Sequence, residues 1–185
     1  MKKSKIFIEE LAPGETKLQE VHKHWFGLVM VYIEVAIGFA AGVVLLWLVA
    51  PFAFANTDAA LRQVYITEIV GLAGIFAWLL MVIFTYIYRQ NRLIITDKNL
   101  TQILQRGLFS RQVSELSMSN VEDVTANQHG FFPTVLGYGE LLVETAGAED
   151  NFDFSFCPHP SAYGKIVLEA RQNFIDANPN ARRRN

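Results

Sequence analysis

The chain has 185 residues, of which 51% are hydrophobic and only 18% charged, with a formal net charge of −2. That size suits one ordinary domain with accessory segments, and the charge share falls well below the roughly 25% of soluble domains. A near-neutral balance excludes the strong basic field that a nucleic-acid binder needs, and a single cysteine, Cys157, excludes an internal disulfide.

Residues 1–25 are charged and mixed, with a Pro-Gly turn at 13–14, and read as a cytosolic tail approaching a bilayer. His22, His24 and Trp25 sit at its end. On a helix the two histidines lie about 200° apart, which does not aim both at one ion. Trp is favoured at a membrane edge, so the group reads as an interfacial anchor and no metal is expected.

Residues 26–50 carry one charge, Glu34, and residues 69–88 carry none. Each run is long enough to cross a hydrocarbon layer about 30 Å thick, which takes about 20 helical residues. Lys2, Lys3, Lys5, Lys17 and Lys23 precede the first span, Arg89, Arg92 and Lys98 follow the second, and the intervening 51–68 holds only Arg62 as a basic residue. Basic residues stay inside, so both termini are expected in the cytosol of a multi-pass inner-membrane protein, with 51–68 as the outer loop. Ala53-Phe54-Ala55 resembles a signal-peptidase site, but the apolar run is far longer than the 7–15 residues or so of a signal segment.

Gly38 and Gly42 in the first span, and Gly71, Gly74, Ala73 and Ala77 in the second, are spaced for close helix contact in lipid. They serve either packing within the hairpin or assembly of several copies. Glu34 lies about 12 Å into its span at 1.5 Å per residue and shares a face with Gly38 and Gly42. Thr85 is its expected hydrogen-bond partner. An ionisable group at that depth is costly, so Glu34 either glues helices together or handles a proton or ion. The second use would make the chain a small transporter or channel subunit.

From Arg89 the pattern changes to short strands: RLIITD, LTQILQRG, FSRQVSELSM, NVEDVTANQ, GELLVETAG and NFDFSFC. In GELLVET, Leu141, Val143 and Thr145 fall on one face and Glu140, Leu142 and Glu144 on the other. Phe152, Phe154 and Phe156 alternate with Asp153 and Ser155, a period of two. The run TVLGYG (134–139) is one Leu away from a potassium-filter sequence. It stands more than 40 residues past the second span, and Gly137 and Gly139 suit a tight reversal with positive φ instead. In HPSAYGKIVLEARQNFID, Ile166, Ala170 and Phe174 recur every fourth residue with Val167 beside them, and Pro160 suits a first helical turn. The expected fold is a two-helix transmembrane hairpin followed by a mainly-β barrel-like domain (89–176) with one C-terminal α-helix, then a disordered basic tail (177–185).

The order of APGE, HKHW, two apolar helices and a strand-rich domain opening YRQNRLIITDKNL resembles the bacterial PH-like (pleckstrin-homology-like) membrane-flanked domain family. The match is strongest over QRGLFSRQVSELSMSNVEDVTANQHGFFPTVLGYGELLVETAG. The resemblance implies a curved antiparallel barrel closed by the C-terminal helix, and a membrane-tethered binding or assembly module that engages partner proteins or copies of itself. It implies no catalytic residues and no cofactor. Lipid headgroups are a further ligand class, for which Arg89, Arg92, Lys98, Arg106 and Arg111 are the candidate contacts. Residues 89–185 carry ten basic and eleven acidic side chains, so the field for phosphate is weak. No G-x-S-x-G, H-E-x-x-H or P-loop pattern is present, and Cys157 reads as a packed thiol.

Overall fold

The computed structural model describes residues 14–145 and 151–179. The first part of the expected 1–25 tail and residues 180–185 of the expected basic tail lie outside them. The chain divides into two compact units: Trp25–Tyr88, and the segments on either side of it, which end at His24 and resume at Arg89.

The first unit is a pair of helices, α1 (Trp25–Ala53) and α2 (Ala59–Gln90), both long and apolar enough to cross a membrane. Of their apolar windows 6% and 0% is buried, so neither is packed away like the core helix of a soluble domain. Phe52, Trp47, Leu72 and Trp78 are exposed on them. The expected loop over 51–68 is corrected: the connection is only residues 54–58, and α2 takes in Arg62 and Glu68. Helical hydrogen bonding continues past the end of an apolar run, because a polar turn outside the hydrocarbon layer satisfies the same backbone bonds.

The second unit is a β domain. Strands β1 (Lys17–His22), β2 (Arg92–Thr96), β3 (Asn99–Gly107) and β4 (Ser110–Ser117) form one antiparallel sheet in that order. After a 3₁₀ turn (Met118–Asn120), β5 (Val121–Asn127), β6 (Tyr138–Thr145) and β7 (Phe152–Pro158) form the second, with a short helix α3 (Phe131–Leu136) between β5 and β6. Helix α4 (Pro160–Ala177) closes the domain, with Pro160 in its first turn.

β1 corrects the reading of residues 1–25 as a tail. Val21 pairs with Leu93 and His22 with Arg92, so the apolar hairpin is an insertion between two neighbouring strands. The signal was faint because KLQEVH puts a single large apolar side chain, Val21, into the core, where it is 1% exposed.

The core lies between the sheets. Val21, Leu93, Ile95, Leu100 and Leu116 face Val121, Leu141, Val143, Phe152 and Phe154, and α4 adds Val167 and Ala170. Burying each of the larger side chains contributes about 1.5–3 kcal/mol. Two side-chain bonds tie the layers together. Gln102 Nε2 donates to the Asp153 carbonyl at 2.6 Å, and Arg171 Nε donates to the Val121 carbonyl at 2.6 Å. The alternation Leu141, Val143, Thr145 is buried as its period of two requires.

The Phe alternation in β7 stops at Phe154. Leu141 pairs with Phe154 but Gly139 with Cys157, so β7 carries one extra residue there. This bulge turns Phe156 out of the core, with φ at 55°, and sends Cys157 in. The two glycines of TVLGYG also separate. Gly137 caps α3 in the left-handed region at φ 70°, as expected. Gly139 has no positive φ; its constraint is space, since a Cβ would run into the Asn127 carbonyl oxygen and the Gln128 side chain.

Gly139→Ala therefore destabilises the β domain by about 1–3 kcal/mol, the usual range for overpacking. Gly107→Ala, where a Cβ meets nothing within 4 Å, changes stability by less than about 0.5 kcal/mol. Denaturant midpoints of the two variants in detergent test the contrast; equal midpoints contradict it.

Candidate functional site

The strand register sorts the side chains of the β domain to two ends. β1 ends, and β2 begins, at the paired residues His22 and Arg92. The junction end is therefore where the chain leaves for the apolar hairpin and returns from it. Alternating strand direction puts the β3–β4 hairpin tip at this end. The bond from the His24 N–H to the Phe156 carbonyl, beside the pairing of Gly139 with Cys157, puts the β5–β6 connection and the start of α4 there too. The β2–β3 turn (Thr96–Asn99) and the end of α4 lie at the other.

This sorting splits the five candidate basic contacts. Lys98 is at the far end, where its ammonium donates to the Gly14 carbonyl at 2.8 Å. The neighbouring Asp97 accepts from the Thr16 N–H at 2.7 Å, and the Thr96 hydroxyl donates to Glu15 Oε1 at 2.7 Å. The turn thus fastens the segment leading into β1. Arg92 sits in the sheet, its Nε 3.6 Å from Glu20 Oε1; Lys17 Nζ reaches Glu20 Oε2 at 2.6 Å and His22 Nε2 lies 3.6 Å from Oε1. Arg89, Arg106 and Arg111 remain, exposed at the junction end. Lys98 is about 27 Å from the β3–β4 tip, at about 3.4 Å per residue along β3.

The residues between β1 and α1 belong to the β domain. His24 stacks on Tyr138 with ring centroids 5.2 Å apart, and Tyr138 stacks on Phe156 at 5.6 Å. The His24 N–H donates to the Phe156 carbonyl at 2.6 Å. Lys23 Nζ donates to Ser155 Oγ at 3.0 Å and lies 5.9 Å from the centre of the Phe154 ring. Burial lowers the Lys23 pKa, against an opposing pull from Asp153. Burial, with His159 second, also lowers the His24 pKa. Composition showed an aromatic near the span; it gave no sign that His24 was half of a stack with a residue 114 positions away.

Beside the stack, Asn127, His129, Pro133, Glu140, Ser155 and Phe156 line a cleft of about 250 Å³. His159, the residue before α4, has φ at 43°, and its N–H donates to the Gly137 carbonyl at 2.7 Å. Among the described residues no three His, Cys, Asp or Glu side chains converge as metal ligands. Cys157 is fully buried, and burial pushes its thiol up to about 12. A thiol held protonated is a poor nucleophile.

Within the helical pair, Thr85 does not reach Glu34. Its hydroxyl lies 2.6 Å from the Tyr32 hydroxyl and 2.6 Å from the Met81 carbonyl. Glu34 is exposed on the helix surface. Of the spaced glycines, one lies close to the other helix. A Cβ on Gly38, Gly42 or Gly71 would meet nothing within 4 Å, and Gly74 alone approaches a neighbour, the Phe39 ring. Gly38, Gly42, Ala73 and Ala77 instead line an apolar groove of about 660 Å³.

Two sheets of four and three antiparallel strands, closed by one C-terminal helix and interrupted by an apolar hairpin, define a PH-like module. The family model described as "Bacterial PH domain" matches residues 26–171, and the chain belongs to that family. No curated protein and no solved structure matches. The matched stretch begins after β1, so the strand that completes the first sheet lies outside it.

The thiol supplies a test of the packing at the bulge. Its folded pKa is raised from 9.0 to about 12, so between those values the folded protein holds a proton that the unfolded chain has released. This contribution to stability is fully present below pH 9 and is lost as pH rises toward about 12. Iodoacetamide at pH 8 leaves Cys157 unmodified until denaturant is added, and Cys157→Ala flattens the alkaline loss of stability. Rapid modification of the native protein contradicts this.

Proposed function

We propose that the chain is a membrane-anchored, non-enzymatic binding or assembly module. The α1–α2 hairpin spans the cytoplasmic membrane, and the β domain works on the cytosolic face. It engages protein partners or copies of itself, with lipid headgroups as a secondary class of ligand. The supporting observation is the place of the hairpin. It leaves from β1 and returns into β2, which are hydrogen-bonded neighbours, so one rigid sheet holds both ends of the anchor. Only Lys23 and His24 separate β1 from α1, and only Asn91 separates α2 from β2. A domain held so close to a bilayer has a high effective concentration toward anything else on that surface. The lysines before α1 and Arg89 and Arg92 after α2 favour the cytosolic side.

The test uses the full chain in its own membranes. It resists extraction by alkaline carbonate, and reporters fused to either terminus give a cytosolic signal. Crosslinking in the membrane yields a discrete larger species containing a second copy or a partner. Release by carbonate or a periplasmic terminus overturns the anchoring; a chain that stays monomeric and crosslinks to nothing overturns the assembly role.

A further inference from the structure

The β domain exposes large apolar side chains that its own fold does not use. The tip of the β3–β4 hairpin is Leu108-Phe109, and Phe109 is 101% exposed. Gly107 pairs with Ser110, so these two residues are the whole turn, with Arg106 and Arg111 on either side. Gln105 Nε2 donates to the Gly107 carbonyl at 2.6 Å and holds the turn in shape. The second feature is α3, a helix with no buried residue. Phe131, Phe132 and Val135 are 75%, 54% and 64% exposed on it. Among the described residues, only Leu18, Val113 and Leu168 are exposed large apolar side chains of this domain outside these two features.

Both features are tied to the junctions. The Asn91 side chain, next to the end of α2, accepts from the Gln105 N–H at 2.6 Å. From Gln105 the strand runs on to Leu108 and Phe109, on the order of 10 Å beyond Asn91 at about 3.4 Å per residue. Helix α3 leads through Gly137 into Tyr138, the ring on which His24 stacks. Whatever tilt the domain adopts, three residues (89–91) reach at most about 10 Å from the end of the 69–88 span.

We propose that Leu108-Phe109 and the Phe131, Phe132 and Val135 face of α3 are two wedges that enter the interfacial layer of the bilayer holding the hairpin. The occupant is the lipid surface because the wedges share one end of the domain with both junctions. The arginines beside Leu108-Phe109 match it further: an apolar tip enters the acyl boundary while Arg106 and Arg111 stay at the level of anionic headgroups. The far end carries Asp97, Lys98 and Glu15 in a hydrogen-bonded turn and stays in water. The wedges hold the domain in one orientation on the membrane. This inference rests on the anchored reading above.

Depth-resolved quenching tests it. Phe109→Cys, Phe132→Cys, Lys98→Cys and Ile37→Cys are each labelled with a thiol-reactive NBD dye; native Cys157 is buried and spared. The full chain is reconstituted in phosphatidylethanolamine–phosphatidylglycerol vesicles with or without doxyl-labelled lipid. The expected result is blue-shifted, doxyl-quenched emission at positions 109, 132 and 37, and water-like, unquenched emission at 98. Quenching at 37 without quenching at 109 and 132 overturns the wedges and leaves the anchor standing. No quenching at 37 removes the anchor and the wedges with it. Emission at 109 that is blue-shifted but unquenched, with a copy-to-copy crosslink at that position, makes the surface a protein contact and also overturns the proposal.

Discussion

The pairing of β1 with β2 is the constraint on which the architecture depends. A 29-residue helix and a 32-residue helix stand between these strands, yet Glu20, Val21 and His22 meet Ile94, Leu93 and Arg92 in register. Two strands so far apart in sequence would lose much of their pairing to loop-closure entropy if the insert were floppy. Two antiparallel helices remove that cost, because a hairpin with a five-residue connection (54–58) returns the chain close to where it left. The sheet and the hairpin each supply what the other lacks. The hairpin brings strand ends together, and the strands fix where the helices begin and end.

From that pairing follows a domain with two unlike ends. At the far end the turn Thr96–Asn99 is consumed by structure: Lys98, Asp97 and Thr96 all hold the segment entering β1. At the junction end the backbone is less comfortable. Phe156 and His159 hold positive φ at 55° and 43°, which costs about 1–2 kcal/mol for each residue with a Cβ. The His24–Tyr138–Phe156 stack and the caps of α3 and α4 hold this strain in place. Irregular backbone is thus concentrated at one end, on the same side as the exposed phenylalanines.

Much of this was legible in the sequence wherever a period or a long run was available. The two apolar runs appear as long helices, and the alternation in GELLVET and the fourth-residue repeat of Ile166, Ala170 and Phe174 appear as faces packed on the core. What failed had no period to read. β1 buries one large apolar side chain, so KLQEVH looked like a polar tail. The Phe series in β7 was regular until a bulge, and a bulge is decided by the partner strand; nothing in NFDFSFC itself signals it. The helices run past the apolar runs because hydropathy measures where lipid can be, while hydrogen bonding decides where a helix stops. Among the site residues, Lys98 and Arg106 looked equivalent as hairpin cations, and only register places them at opposite ends. Glu34 and Thr85 were matched by depth alone, which says nothing about which way each hydroxyl or carboxyl points. Phe109 and the FFPTVL helix gave no sign of their exposure, since apolar residues in a β domain are expected inside.

The claim that carries the rest is that β1 belongs to the β domain and completes its first sheet, although the hairpin is inserted in sequence between β1 and β2. It is tested most directly by replacing residues 25–88 with a short Gly-Ser linker that joins His24 to Arg89. Equilibrium unfolding is then compared with that of the same domain starting at Arg89. The linked form is predicted to be soluble and to unfold in one cooperative transition. The form without β1 should lose stability by about 2–5 kcal/mol, the range for removing a buried aliphatic group and leaving a cavity, or fail to fold. Equal stability of the two forms would contradict the account.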